Sequence, residues 1–376
     1  MYARYVLRPA NAESAKKLLE CENRKTVVPL DSVLGIDNLP FKTTVSMMLA
    51  ITYWAIKMDS YQETEDFFKR HYDIQISDDS IREVVNHIGK IVFDADYEAA
   101  QRCQNDFEAC DLPKPQPGKK GVLYLQTDGA ALNTRIRDCN DSTWRENKLG
   151  VAFSDDNIYY WESGKGEHAH RILKREYISL IGSAQDFKFH FLALALRNGY
   201  GSYEKTVIIS DGATWIRNMK DELFPDAQHI LDLFHLKENT YAFAKELFAN
   251  DESKYAPWAK HICQKLEDGK WREVLKELEP YKDMRAKPGA VNLYTYIHNN
   301  KNNIDYPAYK EAGLFVGSGA IESGNKIVLQ KRLKLPGMRW NVTTAQYVVA
   351  LRAKLESGLW DSYVVPLVEQ VLEQKA

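Results

Sequence analysis

Residues 205–215 read KTVIISDGATW, an unbroken apolar run that stops at Asp211 and Gly212. A run without polar alternation is typical of a strand that is buried on both faces at the centre of a sheet. The stretch YLQTDGAAL at 124–132 ends in the same way, at Asp128. Asp-Gly after a strand is most often an ordinary turn. If the two strands are neighbours in a βαβ-type sheet, however, their carboxyl ends lie at one edge and the two carboxylates face each other.

The segments around these runs alternate between strands and helices. Helices are predicted at 184–201 and in ATWIRNMKDELFP. This order predicts an α/β fold, with a mixed five-stranded sheet and helices on both of its faces. The predicted strands are GVLYLQTD, LGVAFSDDNIYYWE (a hairpin turning near 154–157), REYISLIG, KTVIISD and AQHILDLFH.

The rest of the chain divides by composition. Residues 1–111 are predicted to be helical, 112–121 to be a linker rich in proline and glycine, and 122–235 to hold the strands. The helical pattern returns at 236–296, and a glycine-rich loop then leads into a final helix within 313–376. A chain of 376 residues is expected to contain more than one domain.

Residues 60–92 have the cadence of a helix–turn–helix. Ser77 is placed as an N-cap, and carboxylates follow it in the first turn of the second helix. A plain helical hairpin fits this pattern as well as a DNA-binding motif does. An apolar stripe at helical spacing is formed by Ile81, Val84, Val85 and Ile88. The polar residues off that stripe that are candidates for contacts in a DNA major groove are Arg82, Asn86 and Lys90.

Two carboxylates in close proximity repel each other unless a cation neutralises them. Oxygen ligands select Mg²⁺ or Mn²⁺ over softer metals. A third carboxylate is offered by Glu322 in GSGAIESGNK at 317–326. An exposed i,i+4 pair between Glu322 and Lys326 explains the same residues, and would contribute only tenths of a kcal/mol. Glu322 also opens a basic stretch, 323–354, with seven Lys or Arg and no acid, which suits a phosphodiester substrate or, alternatively, a solvated helix face.

Bulk composition limits the class of protein. The five cysteines include no Cys-x-x-Cys pair, which speaks against a zinc ribbon and against a disulfide framework. The longest apolar stretch, Val45–Met58, is too short to cross a bilayer, and MYARYVLRPA has no features of an export signal. We therefore expect a cytoplasmic protein without a membrane partner.

As an ordered set, seven segments of the chain resemble the DDE transposases of bacterial insertion sequences. These enzymes form part of the Mutator-like branch of the RNase H-like superfamily, and the resemblance is to the Kra family in particular, with the Lre family as its sibling. The segments run from about 122 to 362, roughly two thirds of the chain. They are LYLQTDGA, WRENKLGVAF, VIISDGATWI, FPDAQHILDLFHLKE, DYPAYKEAGLFVGSGAIESGNK, QKRLKLPGMRW and LRAKLESGLWD.

The resemblance implies an RNase H-like sheet, an all-α insertion at 236–312 and a C-terminal part of the catalytic core at 313–376. It places the catalytic carboxylates at Asp128, Asp211 and Glu322, which would hold two Mg²⁺ (or Mn²⁺) ions. The branch also carries an Asp-x-x-His signature, matched by Asp232 and His235, which implies a supporting role near the active site. From sequence alone, a histidine at a strand end such as His235 is more often structural.

The resemblance further implies partners and a reaction. The partners are the terminal inverted repeats of an element and its target DNA, bound by a homo-oligomer associated with the nucleoid. Water first cleaves the element end, and the released 3′-OH then attacks target DNA. Trp340 and Trp215 are candidates for stacking on bases, although Trp215 fits a core position better. Contacts with DNA phosphates are expected from Lys326, Lys331, Arg332, Lys334 and Arg339.

Two other interpretations remain open at this stage. An RNase H-like DNA nuclease or resolvase would cut without joining, and a domesticated DNA-binding relic would not catalyse at all. The intact Asp–Asp–Glu set speaks against the relic. The chain departs from many relatives in its N-terminal segment, which carries no Cys-rich zinc motif, and this bears on mobility of the element more than on chemistry.

Overall fold

A computed structural model describes residue 36 and residues 38–105, 116–162, 168–284 and 291–373. The predictions for 1–35, for 106–111 and for residues 112–115 of the linker fall outside these residues. The chain divides into two compact units, which we call the helical unit, Met1–Ala95 with Lys331–Ala376, and the sheet unit, Asp96–Gln330. Within the described ranges, no helix has both the length and the hydropathy needed to cross a membrane.

The sheet unit contains a mixed five-stranded sheet, as the sequence predicts. Its strand order is β5-β2-β1-β6-β7. Strand β2 pairs antiparallel with β1 and β5, whereas β6 pairs parallel with β1 and β7. Strand β1 contains YLQT and β6 contains VIIS, so the two strands predicted before Asp128 and Asp211 are indeed neighbours. The strands are β1 Lys119–Asn133, β2 Trp144–Ser154, β3 Ile158–Glu162, β4 His168–Ile172, β5 Glu176–Ile181, β6 Tyr203–Ser210 and β7 Gln228–Leu231.

Strands β3 and β4 form a separate two-stranded sheet. The sequence-based prediction of a hairpin within LGVAFSDDNIYYWE is wrong on this point. The chain does turn at Asp155–Asn157, in a 3₁₀ turn, but both edges of β2 are already occupied by β1 and β5. Strand β3 therefore pairs with β4. The predicted linker is also shorter than expected, because β1 already begins at Lys119.

The helices are numbered in chain order, and α11 continues into a π-helical stretch, Asn325–Gln330. A second π-helical stretch, Trp360–Val364, precedes the last helix. The first helices are α1 Val45–Lys57, α2 Tyr61–Tyr72, α3 Asp78–Asn105, α4 Ala184–Arg197 and α5 Thr214–Leu223. Those between β7 and the glycine-rich loop are α6 Leu233–Leu247, α7 Glu252–Glu267, α8 Trp271–Leu278, α9 Leu293–Asn300 and α10 Tyr306–Glu311. The last are α11 Gly319–Gly324, α12 Lys331–Leu333, α13 Val342–Glu356 and α14 Val365–Glu373.

Successive residues of β2 show that helices cover both faces of the sheet. A Cβ on Gly150 would lie 2.6 Å from the ring of Phe191 in α4. The preceding residue, Leu149, lies against α11, where its Cδ2 is 3.1 Å from the Cβ position of Gly324. Because successive side chains of a strand point to opposite faces, α4 and α11 lie on opposite faces of the sheet.

In the helical unit, α2 and α3 form the predicted pair of helices around a short turn. Ser60 caps α2 by accepting the N–H of Glu63 at 3.0 Å. Ser77 accepts the N–H of Ser80 at 3.2 Å, and so caps α3 as predicted. Helix α3 continues to Asn105, well beyond the predicted end of the motif. The predicted apolar stripe is buried along its length: Ile81, Val84, Val85 and Ile88.

The predicted C-terminal part of the catalytic core, 313–376, is divided between the two units after Gln330. The reason is a set of buried contacts within the helical unit. The Nε of Arg332 donates to the carbonyl of Ala55 at 3.2 Å, and Arg352 donates to the carbonyl of Ile56. Both acceptors belong to α1, so the chain from Lys331 onwards packs with the N-terminal helices.

A buried histidine in β7 joins two neighbouring elements of the sheet unit. The Nε2 of His229 lies 2.9 Å from the Oγ of Ser210 in β6, and its Nδ1 lies 3.2 Å from the amide of Asn303. An amide N–H at Nδ1 requires the neutral ring with its proton on Nε2. Burial, followed by the positive charge of Lys220, lowers the pKa of His229 from 6.5 to about 4.

We predict that His229 makes the protein acid-sensitive. Between pH 6.5 and about 4 the unfolded chain protonates this histidine and the folded chain does not. Stability is therefore complete above this window and is lost as the pH falls through it, by up to about 3 kcal/mol. Urea unfolding at pH 7, 5.5 and 4.5 should show a smaller loss in His229→Gln than in wild type. The control is His261→Gln, at a histidine that is 57% exposed and should leave the wild-type loss unchanged.

Gly324 is the point where α11 approaches the sheet most closely. A Cβ there would lie 2.6 Å from the ring of Tyr177 and 3.1 Å from Leu149. We predict that Gly324→Ala lowers the free energy of unfolding by about 1–3 kcal/mol, because the helix must move away from β2 and β5. Gly319→Ala, in the same helix with open space around its Cβ position, is the control. Equal stability of the two variants in urea titration would contradict this packing.

Candidate active site

Asp211 directly follows the carboxyl end of β6, whereas Asp128 lies within β1, which continues to Asn133 instead of stopping at Asp128 as the sequence predicts. The pairing of β1 with β6 places Gln126 opposite Ile209. Asp128 lies two residues beyond Gln126, and Asp211 lies two residues beyond Ile209. The same register therefore brings the two aspartates level with each other. Residues two apart on a strand share a face, and Asp128 therefore lies on the face of Gln126. Asp128 and Asp211 thus lie side by side, although the first Asp-Gly-Ala stretch is inside β1 and the second follows the end of β6.

The backbone at Asp211 makes a sharp turn out of β6. The Oδ1 of Asp211 accepts the N–H of Ala213 at 2.9 Å, and Gly212 has a φ of 79°. A Cβ at Gly212 would also lie 2.7 Å from Leu231 in the adjacent strand. Glycine is needed here for both reasons, since a side chain disfavours positive φ and has no space. The turn keeps the carboxylate at the strand end while α5 begins immediately beyond it.

Two tyrosine hydroxyls from the helices after β7 hold the ends of the parallel strands. Tyr296 of α9 donates to the carbonyl of Asp211 at 2.6 Å. Tyr306 of α10 donates to the carbonyl of Leu231 at 3.0 Å. Burial is the main cause that raises the pKa of both phenols, which therefore remain donors at neutral pH. These helices thus fix the backbone at the site in addition to lying beside it.

The helix that carries Glu322 is fastened to β1 by side-chain amides. The Oε1 of Gln126 accepts the N–H of Ile321 at 3.0 Å, and its Nε2 donates to the carbonyl of Gly317 at 3.3 Å. The Nδ2 of Asn325, at the start of the π-helical stretch, donates to the Oδ2 of Asp128 at 2.7 Å. These bonds hold Glu322 on the same face of the sheet as Asp128.

Asp232 connects the start of α6 with the loop that leads into α11. It is fully buried and accepts the N–H groups of Phe234 and His235 at 3.1 and 3.3 Å. It also accepts the N–H and the hydroxyl of Ser318, at 3.1 and 2.7 Å. Four donors occupy the four acceptor positions of a carboxylate. Asp232 is therefore a structural brace that positions the Glu322 helix.

His235 lies in the first turn of α6, not at the end of a strand as the sequence suggested. The strand ends at Leu231 because the Asp232 side chain caps the helix that follows. The Nε2 of His235 is 3.8 Å from Asp232, and its Nδ1 is 3.2 Å from Glu238. The imidazole is half-buried and lies close enough to Asp128 to lower the pKa of that carboxyl.

The donor set suits a hard divalent cation. Within the described part of the chain, the ligand atoms of Asp232, His235 and Glu322 form the one group of three that lies within 4.8 Å of one another. Asp128 and Asp211 are outside that group. Asp128 and Asp211 are half-buried and Glu322 is exposed, so their carboxylates remain accessible, unlike the occupied oxygens of Asp232. Carboxylate oxygens are the ligands that suit Mg²⁺ or Mn²⁺.

Electrostatics at Asp128 also favour a cation. Burial is the largest cause that raises the pKa of Asp128 above its ordinary value, and the negative charge of Asp211 raises it further. The N–H of Gly129 opposes this by donating to Oδ1 at 2.7 Å. A raised pKa means that the ionised form is less favourable in the folded protein than in water. A bound cation would remove this penalty.

The structure does not support the DNA contacts predicted for Arg332 and Trp340. Only 2% of Arg332 is exposed, and its guanidinium lies 4.9 and 5.0 Å from the rings of Tyr61 and Trp340. Trp340 is buried and donates from Nε1 to the carbonyl of Leu333. Both side chains are core residues of the helical unit, which leaves them no surface for phosphates or bases.

The other predicted DNA-binding residues lie at the surface, with Asn86 half-buried. Arg82 pairs with Asp79 at 2.8 Å and Lys90 with Asp94, both as exposed pairs within α3. Such pairs contribute little and leave the cations accessible. Trp215 packs edge-on against Phe187 but is only half-buried, so it is not the core residue that the sequence favoured. Of the basic residues predicted to bind DNA, those that are exposed are Lys326, Lys331, Lys334, Arg339, Arg82 and Lys90.

Three residues that hold the site were missed by the sequence analysis: Gln126, Ser318 and Asn325. A signal existed for Gln126, since it is a polar residue in an apolar strand at the same alternation as Asp128. Ser318 and Asn325 flank Glu322 within the glycine-rich segment, but nothing in their spacing shows that their partners are Asp232 and Asp128.

Comparisons with known proteins add little to this geometry. No protein-family model matches the chain, and no curated protein matches it. Among solved structures, the chain is similar to one described as "Crystal structure of NurA", at 13% sequence identity and a TM-score of 0.12. The similarity covers 68% of this chain and 58% of that one. A TM-score this low carries no argument, so the interpretation of the site depends on its residues.

We predict opposite effects of Asp128→Asn with and without metal. In metal-free buffer the variant should melt at a higher temperature than wild type, because it removes a carboxylate whose charge is unfavourable in the fold. With Mn²⁺ at about 100 times its Kd, wild type should gain about 2.7 kcal/mol and the variant much less. Thermal melts with and without Mn²⁺ measure both effects.

The matched control is Asp226→Asn, at an exposed acid just before β7, at the opposite end of that strand from Asp232. It should leave both the metal-free melting temperature and the response to Mn²⁺ unchanged. An Asp128→Asn protein that gains as much from Mn²⁺ as wild type does would show that Asp128 is not a ligand.

Proposed function

We propose that this chain is a DDE-type DNA transposase of an insertion sequence, built on an RNase H-like core. One observation carries the proposal. Asp128 lies in β1 beside the end of the parallel strand β6, which Asp211 directly follows, and Glu322 lies on a helix that Gln126 fastens to the face of Asp128. Three carboxylates from separate parts of the chain are thus brought to one edge of a sheet by dedicated hydrogen bonds, which a set of ordinary turns does not require.

The strand order is compatible with this fold. Three antiparallel strands in the order β5-β2-β1 continue into the parallel strands β6 and β7, with helices on both faces. The helices α6–α10 lie between β7 and the Glu322 helix, where the proposal requires an all-α insertion. The tyrosine bonds from α9 and α10 to the strand ends give this insertion a role in shaping the site.

Asp128, Asp211 and Glu322 would hold two Mg²⁺ or Mn²⁺ ions, with His235 beside them. Bound cations of this kind supply charge that stabilises the attacking and leaving oxygens of a phosphodiester exchange. Asn325 holds Asp128 in place through its Oδ2, and Asp232 braces the loop before Glu322. The chain's own contribution is thus to position carboxylates that are otherwise mutually repulsive.

The reaction has two steps on DNA. Water attacks the phosphorus at the element end, and the 3′-oxygen leaves as a free 3′-OH. That 3′-OH then attacks a phosphorus of the target strand and displaces the target's own 3′-oxygen. Exposed Lys326, Lys331, Lys334 and Arg339 are the proposed phosphate contacts, with α2 and α3 as the proposed DNA-binding helices. The paired ends would be bound by a homo-oligomer.

Cleavage and joining of DNA test the proposal directly. The substrate is a labelled duplex that carries the repeats flanking the gene for this chain, incubated with Mg²⁺ or Mn²⁺. We expect a nick at the repeat end, followed by joining of the labelled 3′ end to a target plasmid. Asp211→Asn should reduce both products by at least 100-fold, because it removes one of the charges that position the cations. Asp226→Asn should leave both products unchanged.

Each alternative corresponds to a distinct result. Nicks without joined products would indicate a nuclease or resolvase. Duplex binding without any metal-dependent cleavage, and with melting temperatures that do not respond to Mn²⁺, would indicate a non-catalytic DNA-binding protein. Full cleavage by Asp211→Asn would show that the carboxylate edge of the sheet is not the active site.

A further inference from the structure

The β3–β4 hairpin carries aromatic side chains that the rest of the sheet unit leaves exposed. Tyr159 and Trp161 are 58% and 42% exposed. They lie two residues apart on β3 and therefore on one face of the hairpin. Their ring centroids are 5.9 Å apart and their planes are inclined by only 23°, so the two rings lie roughly parallel to each other.

The opposite face of the hairpin holds it to the core. Tyr160 lies on that face, 6.1 Å from the ring of His170 across the strand pair. The ring of His170 is 4.7 Å from Phe315, which in turn is 5.0 Å from Tyr124 of β1. These ring contacts connect the hairpin to β1 through Phe315, although Tyr160 is itself 57% exposed and His170 is also exposed. The face with Tyr159 and Trp161 points away from these contacts.

Strand β4 and the segment after it add positive charge beside the aromatic rings. Arg171 is exposed and lies directly opposite Tyr159 in the strand pairing. Lys174 and Arg175 follow within four residues, and the sequence from 168 to 175 contains no acidic residue. Exposed aromatic rings next to cationic side chains fit a ligand with both aromatic faces and negative charges.

A groove lies between the hairpin and the start of the helix that carries Glu322. Its lining includes Arg171 and Arg175 on the hairpin side, and Gln126 and Gly319 on the other. Gln126 fastens the helix that carries Glu322, and Gly319 is the first residue of that helix. Arg171 lines this groove and also lies opposite Tyr159 in the strand pairing, so a DNA strand in the groove that contacts Arg171 would approach the aromatic face.

We infer that Tyr159, Trp161 and Arg171 form a stacking surface for unpaired nucleotides of a DNA strand bound at the active site. The inference rests on the proposed function, and it specifies that part of the DNA substrate is unpaired. Every base has a π-face, so stacking is tolerant of sequence, and an arginine beside the rings neutralises the phosphates between stacked bases. Duplex DNA keeps its base faces within its own stack, so the surface selects frayed or displaced nucleotides.

The test is binding of a fluorescently labelled oligothymidylate, followed by anisotropy in EDTA so that no cleavage occurs. The double variant Tyr159→Ala, Trp161→Ala should bind roughly tenfold more weakly than wild type or worse. An abasic strand of the same length keeps the phosphates and lacks the bases, so it should bind wild type and the double variant equally. The control is Tyr97→Ala, since Tyr97 is 45% exposed and lies beside His190 of α4, on the opposite face of the sheet.

The charge of Arg171 has its own readout. Arg171→Glu should reduce the slope of log affinity against log salt by about 0.7 or more, which corresponds to at least one lost phosphate contact on a single strand. The surface assignment is overturned if the double variant binds oligothymidylate as tightly as wild type, or if the abasic strand loses affinity to the same extent. It is also overturned if these side chains mediate self-association that oligothymidylate does not compete with, as measured by sedimentation.

Failure of the proposed function gives a different pattern. Weakened oligothymidylate binding in the double variant, in a protein whose wild type never cuts DNA with Mn²⁺, would support the stacking surface and contradict the transposase. Normal cleavage and joining by the double variant, with unchanged oligothymidylate binding, would contradict the surface alone.

Discussion

The parallel pairing of β1 with β6 is the constraint on which the rest of the site depends. With Gln126 opposite Ile209, the carboxylates two residues further on come level with each other and lie on one face. A slip of one residue in this register would turn Asp128 or Asp211 to the opposite face, under α4. The register is secured because both strands are buried, with Leu125, Val207, Ile208 and Ile209 fully enclosed. The hydrophobic core therefore determines where the polar chemistry lies.

Polar groups then add what hydrophobic packing cannot, which is direction. Gln126 and Asp232 accept the backbone N–H groups of Ile321 and Ser318, and Asn325 donates to the carboxylate of Asp128. Burial of such groups is unfavourable unless they are paired, so an alternative packing of α11 would leave several donors and acceptors without partners. Close approach at Gly324 allows these bonds to be short. The result is a set of carboxylates in which the ionised form of Asp128 is unfavourable, while hydrogen bonds fix the groups around it.

Much of this arrangement could be predicted from sequence, for identifiable reasons. The apolar runs before Asp128 and Asp211 reflect strands buried on both faces, and their five-stranded mixed sheet follows from the order of elements. The basic stretch 323–354 was harder to interpret, because Arg332 is buried by Tyr61, Trp340 and a carbonyl of α1, which are distant in sequence. The composition of a segment shows how many charged residues it has, but not whether their side chains are buried. The separate β3–β4 hairpin was missed for a similar reason, since the occupied edges of β2 are visible only once β5 is placed.

The Asn325–Asp128 hydrogen bond joins residues that are 197 positions apart in the chain. During synthesis, β1 and β6 emerge and can pair well before α11 has been translated, because folding proceeds from the N-terminal side. A nascent chain that ends before Glu322 has two neighbouring carboxylates, no third one, and no amide to orient the first. Premature termination, ribosome stalling or proteolytic loss of the last segment would leave the same incomplete arrangement. The complete site can therefore form only in chains that extend beyond Asn325.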